Sequence, residues 1–120
     1  MTKHDTALTG RLYSRAELAE IMDVPEHRVR NLVRAYDLVE IETDEGKRIP
    51  EFALEERGGE LQVNPALRGT VLALLDQELT VAEASLWLVS HNDELGQSPL
   101  AAMRAGHVHA VRRAIISTAL

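Results

Sequence analysis

Residues 14–37, SRAELAEIMDVPEHRVRNLVRAYD, constrain this chain more than any other stretch, because they carry two helix signals back to back. Ser14 and Glu17 form an S-x-x-E capping box, which satisfies free backbone N–H groups and starts a helix at Arg15. Its apolar positions, Leu18, Ile21 and Met22, are spaced i, i+3, i+4, and Ala19 is small enough for a crossing helix to approach. Asp23-Val24-Pro25 then breaks it. Pro25 has no N–H to donate and suits the first turn of a new helix. From Glu26 the apolar set is Val29, Leu32, Val33 and Tyr36, a second helical stripe over residues 26–36.

The opposite face of that second helix carries the chemistry. At about 100° per residue, His27, Asn31 and Arg34 project away from the apolar stripe, and Arg28 and Arg30 flank them. No acid interrupts the run between Glu26 and Asp37. Arginine can donate two hydrogen bonds to a guanine edge, asparagine can pair with adenine, and arginine can equally hold phosphate. A solvated basic face is the plain alternative. The cap, the turn and the small residue, all in register, favour a helix that reads a DNA groove.

The charge balance opposes this reading. The 120-residue chain has a formal net charge of −6. Residues 11–50 hold seven bases (Arg11, Arg15, Arg28, Arg30, Arg34, Lys47, Arg48) against nine acids. Long-range steering toward a polyanion is therefore weak, and any DNA contact must come from bases concentrated locally.

Taken in order, residues 1–10 lack periodicity and read as a flexible tail holding Thr2, Thr6 and Thr9. Leu12 or Tyr13 is placed to staple the first helix. Val39, Ile41 and Thr43 alternate with acids as in a half-buried strand. Asp44-Glu45-Gly46-Lys47 supplies a turn, and Arg48-Ile49-Pro50 begins the return, with Lys47 and Arg48 available to phosphate. Glu51–Leu54 reads as a brief helical turn that buries Phe52. Glu55–Val63, with Gly58-Gly59 at its centre, reads as a boundary. Beyond it, Asn64 caps a helix bearing Leu67, Val71, Leu74 and Leu75 and interrupted by Gly69. Thr80 and Glu83 form a second capping box before VAEASLWLVSH, apolar on nearly all sides and so buried or at an interface. His91–Gln97 is a polar loop. Ser98-Pro99 starts a helix over Leu100–Ala105, Gly106 stops it, and a last helix runs from His107 to Thr118.

These residues carry two family resemblances. YSRAELAEIMDVPEHRVRNLV is similar to the winged helix-turn-helix of the MerR and excisionase type, and LVEIETDEGKRIPEFAL resembles the wing that follows it. Asp23 stands where that pattern usually has glycine; aspartate tolerates the left-handed conformation better than most residues. WLVSHNDELGQSPLAAMRAGHVHAVRRAI is similar to the C-terminal domain of Xre/ParS-type antitoxins, a domain that binds a partner toxin and self-associates. The order of the two halves, over roughly residues 12–119, resembles a small family of actinobacterial DNA-binding proteins that join such a winged helix to a helical C-terminal domain.

Other chemistry finds little support. Without cysteine there are no disulfides or thiolate metal sites, as suits a reducing cytoplasm. No apolar run approaches a membrane span. His107 and His109 lie about 200° apart on a helix and cannot chelate one ion, and His4, His27 and His91 are scattered. No phosphate loop and no G-x-S-x-G nucleophile motif is present, so neither cofactor nor catalysis is expected. The expected fold is mainly α: a winged helix-turn-helix at 11–57 with a small β-hairpin wing, then a C-terminal helical domain at 60–120 packed on it. The expected function is a cytoplasmic DNA-binding protein, a transcriptional regulator or nucleoid-associated factor. It would contact double-stranded DNA through His27, Arg28, Arg30, Asn31, Arg34, Lys47 and Arg48. A homodimer through the C-terminal helices would extend so small a reading head. The alternative is an antitoxin-like protein-interaction module whose C-terminal helices bind a partner protein.

Overall fold

In a computed structural model the described residues are 10–118. The tail threonines and His4 lie outside them. Contacts divide the chain into two units, Gly10–Arg68 and the segment from Gly69 onward.

The first unit begins with strand β1 (Leu12–Tyr13), helix α1 (Arg15–Met22) and helix α2 (Glu26–Arg34). The expected capping box starts α1: Ser14 Oγ accepts from Glu17 N at 3.1 Å, and Ser14 N donates to Glu17 Oε1 at 2.9 Å. Asp23 ends the helix in the left-handed region at φ 58°, the conformation the turn demands where glycine is usual. Helix α2 stops at Arg34, short of the expected Tyr36. Tyr36 instead takes φ 64° beyond the helix end, half-buried rather than completing the stripe. Leu18, Ala19, Val29 and Leu32 are the buried residues of the two helices, which pack on each other.

Strand β2 (Ile41–Thr43) and strand β3 (Gly46–Pro50) form the expected hairpin, with Asp44-Glu45 as its turn. β3 also pairs with β1, giving an antiparallel sheet in the order β1-β3-β2. Gly46 takes φ 101°, where an L side chain would be strained. Thr43 Oγ1 donates to its carbonyl at 2.7 Å and accepts from Glu45 N at 3.2 Å, which closes the turn. A 3-10 turn at Glu51–Ala53 buries Phe52, as its sequence suggests.

The Glu55–Val63 stretch, where the sequence suggests a boundary, is a second hairpin. Strand β4 (Leu54–Arg57) pairs with strand β5 (Glu60–Val63) around Gly58-Gly59. Both glycines have positive φ, as a tight two-residue hairpin turn requires. The division in contacts falls later, within helix α3 (Leu67–Asp76).

The second unit continues α3 with helix α4 (Val81–Val89), helix α5 (Pro99–Arg104) and helix α6 (Val108–Thr118). The Thr80–Glu83 capping box and the Ser98 cap with Pro99 in the first turn form as the sequence predicts. Leu74, Ala84, Leu88, Leu100, Met103, Val111 and Ile115 make its buried core. Helix α4 is less enclosed than an all-round apolar sequence implies, because Leu86 is 39% exposed. Six α-helices and two small antiparallel sheets among the described residues make the fold mixed α and β rather than mainly α. The second hairpin accounts for the difference. Among the described residues no helix is long and apolar enough to cross a membrane.

Candidate nucleic-acid interface

The candidate interface is built on α2. Val29 is fully buried and Leu32 nearly so, which turns His27, Arg28, Arg30, Asn31 and Arg34 outward; all five are exposed. The far end of the helix is tied down in two ways. Asp37 N and Leu38 N both donate to Leu32 O, at 2.9 and 3.2 Å. Arg68 Nε donates to Ala35 O at 3.0 Å, placing a cation where the helix dipole is negative.

Beside α2 lies a cleft of about 400 Å³, lined by Arg15, Arg30, Val33, Arg34, Tyr36, Glu40 and Lys47. Of the residues singled out in the sequence, it gathers Arg30 and Arg34 from α2 with Lys47 from β3. His27, Arg28 and Asn31 share the exposed face of α2 but do not line the cleft. Arg48 is turned aside: it is half-buried, and its Nη1 donates to Lys47 O at 2.8 Å. Among the described residues, no ion pair engages Arg28, Arg30, Arg34 or Lys47.

Two cleft residues escape a reading by local pattern. Arg15 reads as the first residue of a capped helix, and Glu40 as the solvent-facing acid of a strand. They form a two-pronged pair across 25 positions of sequence: Arg15 Nε to Glu40 Oε2 at 2.7 Å, Arg15 Nη2 to Glu40 Oε1 at 2.8 Å. The Glu40 side chain is only 7% exposed and that of Arg15 33%. The hydrogen bond to Glu40 raises the Arg15 pKa, partial burial opposes it, and the charges of Glu40 and Glu26 add to the rise. Arg15 is thus a permanent cation held by a carboxylate.

Among the described residues, no three His, Cys, Asp or Glu side chains stand close enough to share an ion. The cleft presents more donors than acceptors: three arginines and a lysine around one carboxylate, which Arg15 alone engages. Such a set can take up planar or tetrahedral oxyanions.

Comparison with known proteins gives two matches. Residues 65–119 match the family model described as the Rv2175c C-terminal domain of unknown function. The fold is similar to that of a solved protein, "NMR structure of Rv2175c", at 24% sequence identity and a TM-score of 0.77, over 92% of this chain and 82% of that one. No curated protein matches the chain. Both matches fit the small actinobacterial family that the sequence resembles.

Proposed function

We propose that this chain is a non-catalytic DNA-binding regulator or nucleoid-associated factor of the cytoplasm, and that Gly10–Arg68 is its winged helix-turn-helix. Helix α2 enters the major groove of double-stranded DNA with Arg28, Arg30, Asn31 and Arg34 toward the bases and His27 near the helix start. The β2–β3 hairpin is the wing and lays Lys47, with Arg48 beside it, against phosphate. The observation that carries this reading is the concentration of Arg30, Arg34 and Lys47, none of them in an ion pair among the described residues, around one cleft of an acidic chain. In such a chain free cations on one face have to be maintained against many available acids.

A second reading rests on the unit from Gly69 onward, which leaves Leu86 and Ile116 39% and 62% exposed. Exposed aliphatic side chains on two helices suit a protein contact, either a homodimer or an antitoxin-like partner complex.

The experiment is retention of the full chain on mixed genomic duplex fragments, with Arg30→Ala/Arg34→Ala as control. Both side chains are exposed, so the fold should survive, and retention should fall at least tenfold. Wild-type retention with an unaffected double variant would remove this face from the site. No retention of wild type at low salt would overturn the DNA reading and favour the protein-contact one.

A further inference from the structure

Glu40 is out of place in a cleft built to hold an anion. Its neighbours around the cleft are Arg15, Arg30, Arg34 and Lys47, and its carboxylate takes both prongs of Arg15 at 2.7 and 2.8 Å. A carboxylate and a phosphate offer arginine the same kind of two-pronged oxygen acceptor, so each can displace the other from one guanidinium. Glu40 is anchored by the chain itself, between buried Val39 and buried Ile41, and needs no diffusional encounter to occupy Arg15. A tethered competitor acts at a high effective concentration.

We propose that Glu40 is an internal phosphate mimic that withholds Arg15 from the DNA backbone and so limits sequence-independent binding. The proposal rests on the DNA reading above and adds a specificity determinant to it. With Glu40 in place, the cleft offers DNA three cations that no ion pair engages among the described residues, Arg30, Arg34 and Lys47. With Glu40 replaced by glutamine it offers four, because Arg15 is one-third exposed and free to turn outward. The fourth cation adds affinity for any duplex and no base information. Glu40 therefore trades total affinity for discrimination, in the same direction as the acidic balance of the whole chain.

The test measures binding of a mixed-sequence duplex and of an enriched genomic fragment across a salt series, using wild type, Glu40→Gln and Arg15→Gln/Glu40→Gln. Glutamine keeps the shape of Glu40 and one acceptor for Arg15, and thermal melts establish that each variant folds. Glu40→Gln should bind the mixed duplex roughly tenfold more tightly at 50 mM salt, steepen the slope of log K against log salt by about 0.9, and narrow the ratio between the two duplexes. The double variant should return to the wild-type slope, since the added contact belongs to Arg15. It also carries the test if Glu40→Gln does not fold: a slope shallower than wild type by about 0.9 would mean that Arg15 already holds phosphate, and the proposal fails. Binding by wild type with equal or weaker binding by folded Glu40→Gln overturns the role of Glu40 and leaves the DNA reading standing. Absence of binding by all three proteins at low salt overturns both.

Discussion

Ser14 and Thr80 begin their helices with the same four atoms. Each hydroxyl accepts from the backbone N–H three residues on at 3.1 Å, and each returning glutamate accepts from the cap N–H at 2.9 Å. Replacing Ser14 or Thr80 by alanine should cost about 1 kcal/mol of stability, read from urea unfolding. The same bonds make the glutamates sensitive to acid. Glu17 and Glu83 have pKa values lowered first by the backbone N–H of Ser14 and Thr80, then by the hydroxyls, with slight desolvation opposing the effect. A carboxylate whose pKa is lower folded than unfolded stabilises fully above its unfolded value, near pH 4, and loses that contribution as pH falls through the folded one. Stability should therefore decline in acid below about pH 4, and Glu17→Gln, which removes the titrating carboxylate, should flatten that decline. An acid limb identical in the variant would show that the Glu17 bond does not form in solution. These contacts are legible in sequence because both partners lie within one helical turn.

Helix ends are read less directly than helix starts. Four ends close in the same way: a residue at or just past the cap turns left-handed, its N–H reaches three residues back, and the next N–H reaches five back. This occurs at Asp23, Tyr36, Glu78 and Gly106, with φ of 58°, 64°, 67° and 89°. Only one of these positions is the glycine that a pattern reader looks for, so the end of α2 at Arg34 is missed by the stripe that includes Tyr36. The three others carry side chains at a conformation that costs an ordinary L residue roughly 1 kcal/mol or more. Asp23→Gly and Glu78→Gly should each raise the unfolding free energy by roughly 0.5 kcal/mol, after subtracting the greater freedom of glycine in the unfolded chain. A loss of stability in either would reveal a side-chain contact holding the turn. The β4–β5 hairpin is the opposite case. Gly58-Gly59 is itself a hairpin signal, but Glu55, Glu56, Arg57 and Glu60 around it obscure the alternation that marks a strand. Pairing across a turn and the buried Leu54 decide the conformation there, and neither is a property of one residue.

At the scale of the whole molecule, what sequence conceals is which charges meet. Arg30 and Arg34 share a helix face and are legible as a pair. Arg15 with Glu40, and Arg68 with Ala35, are joined only by the fold, over 25 and 33 positions. A tally of seven bases and nine acids over residues 11–50 suggests a surface that repels DNA, yet the fold pairs one acid, Glu40, with Arg15, and among the described residues no ion pair engages Arg28, Arg30, Arg34 or Lys47. The net charge of −6 still acts at long range, so affinity should be local, modest and strongly dependent on salt. Four uncommitted cations set the number. If each cation, at a base edge or at a phosphate, releases about one condensed counterion, log K should fall with log salt at a slope of about −4, and raising salt from 50 to 200 mM should weaken binding roughly 200-fold. Fluorescence anisotropy of a labelled duplex gives the slope directly. A value near zero would mean that binding releases no counterions and would exclude the cationic α2 face as the source of affinity. A value near −8 would mean two copies on one duplex, each supplying its four cations. Mass of the complex by light scattering would then have to show two chains per duplex, and Arg30→Ala/Arg34→Ala should halve the slope, because it removes two of every four contacts.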